Sequence, residues 1–274
     1  MNSDCPVSVI LPVYNSENTI KRSLDGALNQ TRKPLEILCI NDCSTDGSKA
    51  VIEQYIKGNA EAKSRIKLID LPENGGVYIA RNVGLNNASQ PYVAYLDADD
   101  FWHPRKLEIQ FNILEQDPDL FFISHQVHVW PEKIIDLPVQ WPEVDVQNLK
   151  IEKINPHFVT WFSRLRTISV VMKNDPKYRF DESKRRAGDT LMWLEVVWNG
   201  EKSRIIEETL GWKAKEHFGA GGLSGHLKKA QAEAQHNVSA LQKKGLISKP
   251  YAFLLYRWGD LRYLKRKVMV ALRG

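Results

Sequence analysis

Three cysteines in 274 residues, Cys5, Cys39 and Cys43, are too few for a disulfide framework. An odd, sparse set of this kind fits a reducing compartment. Long apolar runs are missing too: nothing approaches the roughly 18 to 20 consecutive apolar residues of a membrane-spanning helix. The apolar stretch at 7–13 is too short for a secretion signal and lacks a basic flank. Neither a Gly-x-Gly-x-x-Gly nor a Walker-type loop occurs, so a phosphate group would have to be held by side chains and a cation. There is no internal repeat. Charge of one sign is also scarce, since 38 Lys+Arg against 33 Asp+Glu leave only +5, which calls for no nucleic-acid partner. These absences point to a cytoplasmic chain, peripheral at most at the inner face of the cytoplasmic membrane.

What is there is a 43% hydrophobic chain, enough for one large core with an appendage. Buried strands are predicted at 7–13, 35–40, 66–71 and 92–96. Between them run helical spacings such as Ile20, Leu24, Ala27 and Leu28, and Gly75-Gly76 breaks the chain before a helix carrying Ile79, Ala80 and Val83. Another helix follows Pro104. Such alternation predicts an α/β fold, a Rossmann-like, mainly parallel sheet flanked by helices. Ligands of these sheets bind outside the carboxyl ends of the strands. Tyr14 and Asn15 stand at that rim after the first strand, Asp42 after the second, and Asp97 and Asp99 after the fourth.

The second half is less regular. Residues 126–166 are rich in Trp and Pro, 168–173 reads as a strand, and Gly188-Asp189 opens a helix. A glycine-rich loop at 217–226 leads into a polar helix over roughly 226–244. After Pro250, basic residues alternate with Phe253, Leu254, Trp258, Leu261 and Leu264. That pattern suits a helix at an anionic membrane surface, or one docked on the domain or on a second subunit of a homo-oligomer.

The stretch Tyr-Val-Ala-Tyr-Leu-Asp-Ala-Asp-Asp-Phe-Trp at 92–102 places carboxylates directly after a buried strand. Residues i and i+2 of an extended chain share a face, so Asp97 and Asp99 can converge on Mg²⁺ or Mn²⁺. The alternative is that Asp100 caps the helix near Pro104 while the other acids are simply solvated. Asp189, at the start of a helix, reads by itself as an ordinary helix cap.

Four segments in fixed order resemble family 2 glycosyltransferases of the GT-A fold: Ser-Val-Ile-Leu-Pro-Val-Tyr-Asn-Ser-Glu-Asn at 8–18, Ile-Asn-Asp-Cys-Ser-Thr-Asp-Gly-Ser at 40–48, Asn-Gly-Gly-Val-Tyr-Ile-Ala-Arg-Asn-Val-Gly-Leu at 74–85 and Tyr-Leu-Asp-Ala-Asp-Asp at 95–100. The resemblance implies roles for individual residues. Pro12 and Tyr14 would bind the nucleotide, with Asn15 and Glu17 in the same loop, and Asp42 would accept the N3–H of a uracil. Arg81 and Asn82 would face the donor, Asp97 and Ala98 the ribose and sugar. Asp99 would ligate Mn²⁺ or Mg²⁺ with His217 nearby, and Asp189 would be the base. Where the family usually has paired acids, this chain has Asn41-Asp42 and Gly188-Asp189.

The implied reaction is a metal-dependent, inverting hexosyl transfer from a nucleotide-diphosphate sugar, expected to be a UDP-sugar. Its acceptor would be a hydroxyl of a glycan or polyprenyl-diphosphate-linked oligosaccharide, in assembly of a bacterial surface polysaccharide such as O-antigen or capsule. A polyprenyl-phosphate sugar synthase and a non-catalytic sugar-nucleotide-binding subunit are the alternatives. The implied domain is 1–222, with a nucleotide-sugar half at 1–115 and an acceptor half at 116–222, followed by a helical basic extension at 223–274.

Overall fold

A computed structural model describes residues 4–130, 136–162, 165–184, 186–213 and 223–271. The first half follows the predicted alternation: β1 (Asp4–Val13), α1 (Ile20–Leu28), β2 (Lys33–Asn41), α2 (Ser48–Gly58), α3 (Ala60–Arg65), β3 (Ile66–Asp70), α4 (Val77–Asn87) and β4 (Tyr92–Tyr95). Next come β5 (Asp100–Trp102), α5 (Lys106–Gln116), β6 (Phe122–Val129), β7 (Ile151–Lys153), α6 (Pro156–Phe162), β8 (Val171–Lys173), α7 (Gly188–Trp198) and β9 (Ser203–Lys213). Two long helices, α8 (Leu223–Lys243) and α9 (Lys249–Ala271), complete the described chain.

The strands form one sheet in the order β3-β2-β1-β4-β8-β6-β9-β5, with β7 also paired to β9. β3, β2, β1 and β4 are mutually parallel, whereas β8 joins β4 antiparallel and β5 joins β9 antiparallel. Val7, Val9, Ile10, Leu11 and Val13 of β1 are fully buried because helices cover both faces of the central strands. The pleat sorts them. Val9 and Leu11 join one apolar cluster with Ile20, Leu24, Ile52 and Leu107, while Ile10 joins another with Leu85, Leu191 and Trp193. The second cluster also contains Leu241, Ile247, Ala252 and Leu255, so α8 and α9 pack on the same core as α7.

Register sets the rim. β1 and β2 end level, Val13 opposite Asn41, but β4 stops opposite Ile10. Residues 96–99 therefore continue past β4 beside the end of β1, tethered by the Leu96 N–H to the Ile10 carbonyl at 3.1 Å. Two local expectations need correction. The expected strand at 168–173 is a 3₁₀ turn, Thr167–Ser169, followed by only three residues of strand. Asp100 does not cap α5; it opens β5, paired with Lys213, and the residue before α5 is Arg105.

Candidate active site

A cleft of about 450 Å³ opens at the carboxyl ends of β1, β2 and β4. Pro12, Tyr14, Asp42, Arg81, Asp97, Ala98, Asp99 and Asp189 all line it. The loops that frame it are fastened to one another. Asn15, at φ 48°, accepts the Thr45 N–H at 2.8 Å, and the Glu17 carboxylate accepts the Gly47 N–H. Asn15 and Glu17 thus organise the loop that presents Tyr14, which is 51% exposed, and do not themselves line the cleft. Asp46 is likewise structural: it accepts from the Ser48 and Glu17 backbone amides.

Asp42 is 3% exposed, and its two oxygens accept the Gly75 and Gly76 N–H groups at 2.7 and 2.8 Å. Gly76 has φ 89°, a conformation that costs a side-chain-bearing residue free energy, so the Gly-Gly pair lets the chain turn under Asp42 into α4. The neighbouring Asn41 points elsewhere, donating to Asp70 at 2.8 Å and accepting the Ser44 N–H.

α4 lies close on β1, where a Cβ at Gly84 would come within 2.6 Å of the Ile10 side chain. That approach carries Arg81 into the cleft floor. Arg81 is 4% exposed; its guanidinium donates to Asp97 at 2.6 Å and lies near the Tyr78 and Phe180 rings, 5.9 and 5.4 Å from their centroids. Burial opposes its charge, but Asp97 and Asp189 more than offset that and raise its pKa. Asn82, one residue on, faces away: its amide exchanges hydrogen bonds with the Phe180 backbone and donates to Glu182 at 2.8 Å. Asn82, expected to face the donor, thus fastens 180–182 to α4 and is not among the residues that line the cleft.

The 97–100 turn is braced from α1. Arg22, 3% exposed, donates to the Asp99 carbonyl at 2.7 Å, and the Ser23 hydroxyl donates to the Asp100 carbonyl at 2.8 Å. Sequence reasoning missed Arg22; a charged residue on the buried face of an amphipathic helix was the available signal.

Asp189 sits in the first turn of α7, its oxygens accepting from the Thr190 N–H at 2.8 Å and the Thr167 hydroxyl at 2.9 Å. Tyr78 accepts the Gly188 N–H at 2.9 Å, and a Cβ on Gly188 would meet the Tyr78 ring at 2.9 Å. Glycine at 188 is thus a packing requirement. Burial, then the Asp189 charge, pushes the Tyr78 phenol up to about 12. Tyr78 and Thr167, which hold Asp189 and its helix, carry no local sequence signal.

His217 lies outside the described residues. Among the described residues no group of three His, Cys, Asp or Glu is placed to hold a metal ion. The two hard carboxylates at the cleft fit a different arrangement, in which Mn²⁺ or Mg²⁺ takes one or two protein oxygens and the rest from substrate phosphates.

A parallel sheet whose rim presents paired carboxylates, closed by antiparallel strands and a helix bearing a further carboxylate, is the GT-A glycosyltransferase fold. Solved structures agree: a mannosyltransferase of Pyrobaculum calidifontis in complex with GDP-Man and Mn²⁺ superposes with TM-score 0.67 at 17% identity, covering 98% of this chain and 76% of that one. S. aureus TarS 1-349 in complex with UDP superposes with TM-score 0.64 at 18% identity, covering 91% of this chain and 69% of that one. The chain belongs to glycosyl transferase family 2, whose model matches residues 8–173. It is 40% identical over 108 residues to TuaG of Bacillus subtilis (strain 168), a protein named for teichuronic acid biosynthesis. That match takes in 39% of this chain and spans only 41% of TuaG.

Proposed function

We propose that the cleft binds a nucleotide-diphosphate sugar, a UDP-sugar first, and that the enzyme transfers the sugar with inversion to an acceptor hydroxyl in polysaccharide biosynthesis. One observation carries this reading: Asp97, Asp99 and Asp189 come together in a single cleft, with Arg81 paired to the first and within reach of the charge of the last. Tyr14, exposed at the mouth, offers its ring to a base, and Asp42 retains lone pairs for a base N–H while holding Gly75 and Gly76. Arg81 fixes the Asp97 carboxylate for ribose and sugar hydroxyls. Asp99, with Asp97, would hold Mn²⁺ or Mg²⁺, which when bound offsets the charge of the leaving nucleoside diphosphate.

The Asp189 carboxylate takes the acceptor proton at one of its oxygens while Thr167 and Thr190 fix its direction. The acceptor oxygen then attacks the anomeric carbon from the side opposite the departing diphosphate, and a single displacement inverts the centre. The UDP and GDP-Man held by the solved neighbours support a nucleotide-sugar donor, and the naming of TuaG for teichuronic acid biosynthesis supports a polysaccharide product. In this reading residues 1–115 form the donor half and 116–222 the acceptor half, with 223–274 a helical basic extension.

The test is transfer and donor binding by two variants. Asp189→Asn should lower kcat by about 10²- to 10⁴-fold, the usual contribution of a general base, and leave UDP binding intact. Asp99→Asn should remove transfer and also the Mn²⁺-dependent part of UDP binding. Near-normal turnover of Asp189→Asn with a hydroxyl acceptor would overturn the base assignment and favour an acceptor that is already an anion, such as a polyprenyl phosphate.

A further inference from the structure

A second cavity, of about 340 Å³, lies on the other side of the start of α7, enclosed by α6, α7, α8 and α9. Ala187 and Thr190, which flank Asp189, are part of its wall, so it abuts the donor cleft across one turn of helix. Its lining is unusual for an interhelical gap. Arg166, Arg262 and Arg266 face it, and among the described residues no carboxylate pairs with any of them. The one acid of α9, Asp260, is already engaged by the Gln231 and Gln235 amides at 2.7 and 3.2 Å and by Arg257 at 3.6 Å. Arg262 is half-buried, giving one N–H to the Trp161 carbonyl at 3.0 Å; burial, then Arg266, lowers its pKa. The half-buried Arg262 and the exposed Arg266, close enough for their charges to oppose each other and without a carboxylate partner among the described residues, form an arrangement that an anion would complete.

Two further groups are incomplete in the same cavity. Asn237 is 3% exposed; its Nδ2 donates to the Ala187 carbonyl at 2.9 Å, but its Oδ1 has no hydrogen-bond partner among the described residues. The Trp258 indole N–H is also buried without a partner. A buried acceptor and a buried donor left unsatisfied each cost free energy that a ligand hydroxyl or phosphate oxygen would recover. Trp258 and Phe162 supply an aromatic wall, with ring centroids 6.5 Å apart.

We propose that this cavity is the acceptor subsite and takes a phosphate-bearing acceptor, its phosphate on Arg262 and Arg266 and a sugar hydroxyl on the Asn237 carbonyl oxygen. The proposal rests on the glycosyltransferase reading of the neighbouring cleft and adds the chemistry of the acceptor to it. The phosphate selects acceptors and holds them, and the hydroxyl end reaches Asp189 along the Ala187–Thr190 turn.

The test uses the full chain in a metal chelator, titrated by calorimetry with inorganic diphosphate and, separately, with farnesyl diphosphate. Wild type should bind both probes, and UDP should not displace them. Arg262→Gln/Arg266→Gln should bind at least about tenfold more weakly, the loss expected for charge-assisted hydrogen bonds, with unchanged UDP binding in Mn²⁺. Arg266→Gln alone changes an exposed side chain and should show the same direction of effect. Tighter binding of farnesyl diphosphate than of inorganic diphosphate assigns a lipid-linked acceptor, and equal binding assigns a soluble phosphorylated one. Equal affinity in wild type and both variants, or displacement by UDP, overturns the proposal. A wild type that binds diphosphate but not UDP in Mn²⁺ would instead remove the donor reading and leave the anion subsite standing.

Discussion

Lys106 shows at the scale of one residue how a fold can hold a group that the sequence would place in water. It is fully buried, 4.0 Å from the Trp102 ring, and its Nζ has no hydrogen-bond partner among the described residues. Burial drives its pKa well below 10.5, only slightly offset by Cys5. The unfolded chain therefore takes up a proton that the folded chain refuses, so the destabilisation grows as pH falls below about 10.5. Lys106→Met should raise unfolding free energy at pH 7 by about 1–3 kcal/mol, the range for an unsatisfied buried polar group. Urea unfolding at several pH values checks it, and the advantage of the variant should shrink as pH is raised toward 10.5. The site residues fared differently. The placement of Asp97 and Asp99 after a strand and of Asp189 at a helix start was legible because each adjoins a periodic segment. The contact of Asn82 with Phe180 was not legible, because the two are 98 positions apart, a separation on which local pattern is silent.

Among the elements, α7 depends on a neighbour for the placement of its first turn. Gly188→Ala would drive a methyl against the Tyr78 ring, which is itself stacked on Phe180 at 5.8 Å and cannot easily retreat. Overpacking of this sort costs about 1–3 kcal/mol, and here it would displace the turn that carries Asp189. A lower urea midpoint, together with a fall in kcat larger than the change in donor affinity, is the expected result. The parallel strands were readable because strands buried on both faces are written as continuous apolar runs. The 168–173 segment was overread as strand, since Ile168 and Val170 are apolar for burial beneath a 3₁₀ turn. Short β5 and β7, three residues each, leave too little periodicity to find.

Across the whole molecule, α9 has two faces. Tyr251, Ala252 and Leu255 pack inward, while Phe253, Leu254, Leu261, Leu264 and Val268 are all more than half exposed beside Arg257, Lys265 and Lys267. Among the described residues no helix is long and apolar enough to cross a membrane. The outer face has the chemistry for a membrane surface with anionic headgroups. Leu261→Ser/Leu264→Ser/Val268→Ser should reduce co-sedimentation with anionic vesicles severalfold, as apolar area buried in the interface sets much of the affinity, and leave Tm nearly unchanged. Equal sedimentation of the two proteins would remove that role. The amino-acid sequence by itself determined the alternation of strand and helix, the parallel half of the sheet and the acids at its rim, because each is encoded in spacing over a few residues. Only the tertiary structure decided which acids meet, that Arg81 pairs with Asp97 and feels the Asp189 charge, that Gly188 is shaped by Tyr78, and that Arg166, Arg262 and Arg266 line one cavity that shares the start of α7 with the cleft. Those arrangements join segments far apart in the chain, and they are fixed by packing and charge in three dimensions rather than by local pattern.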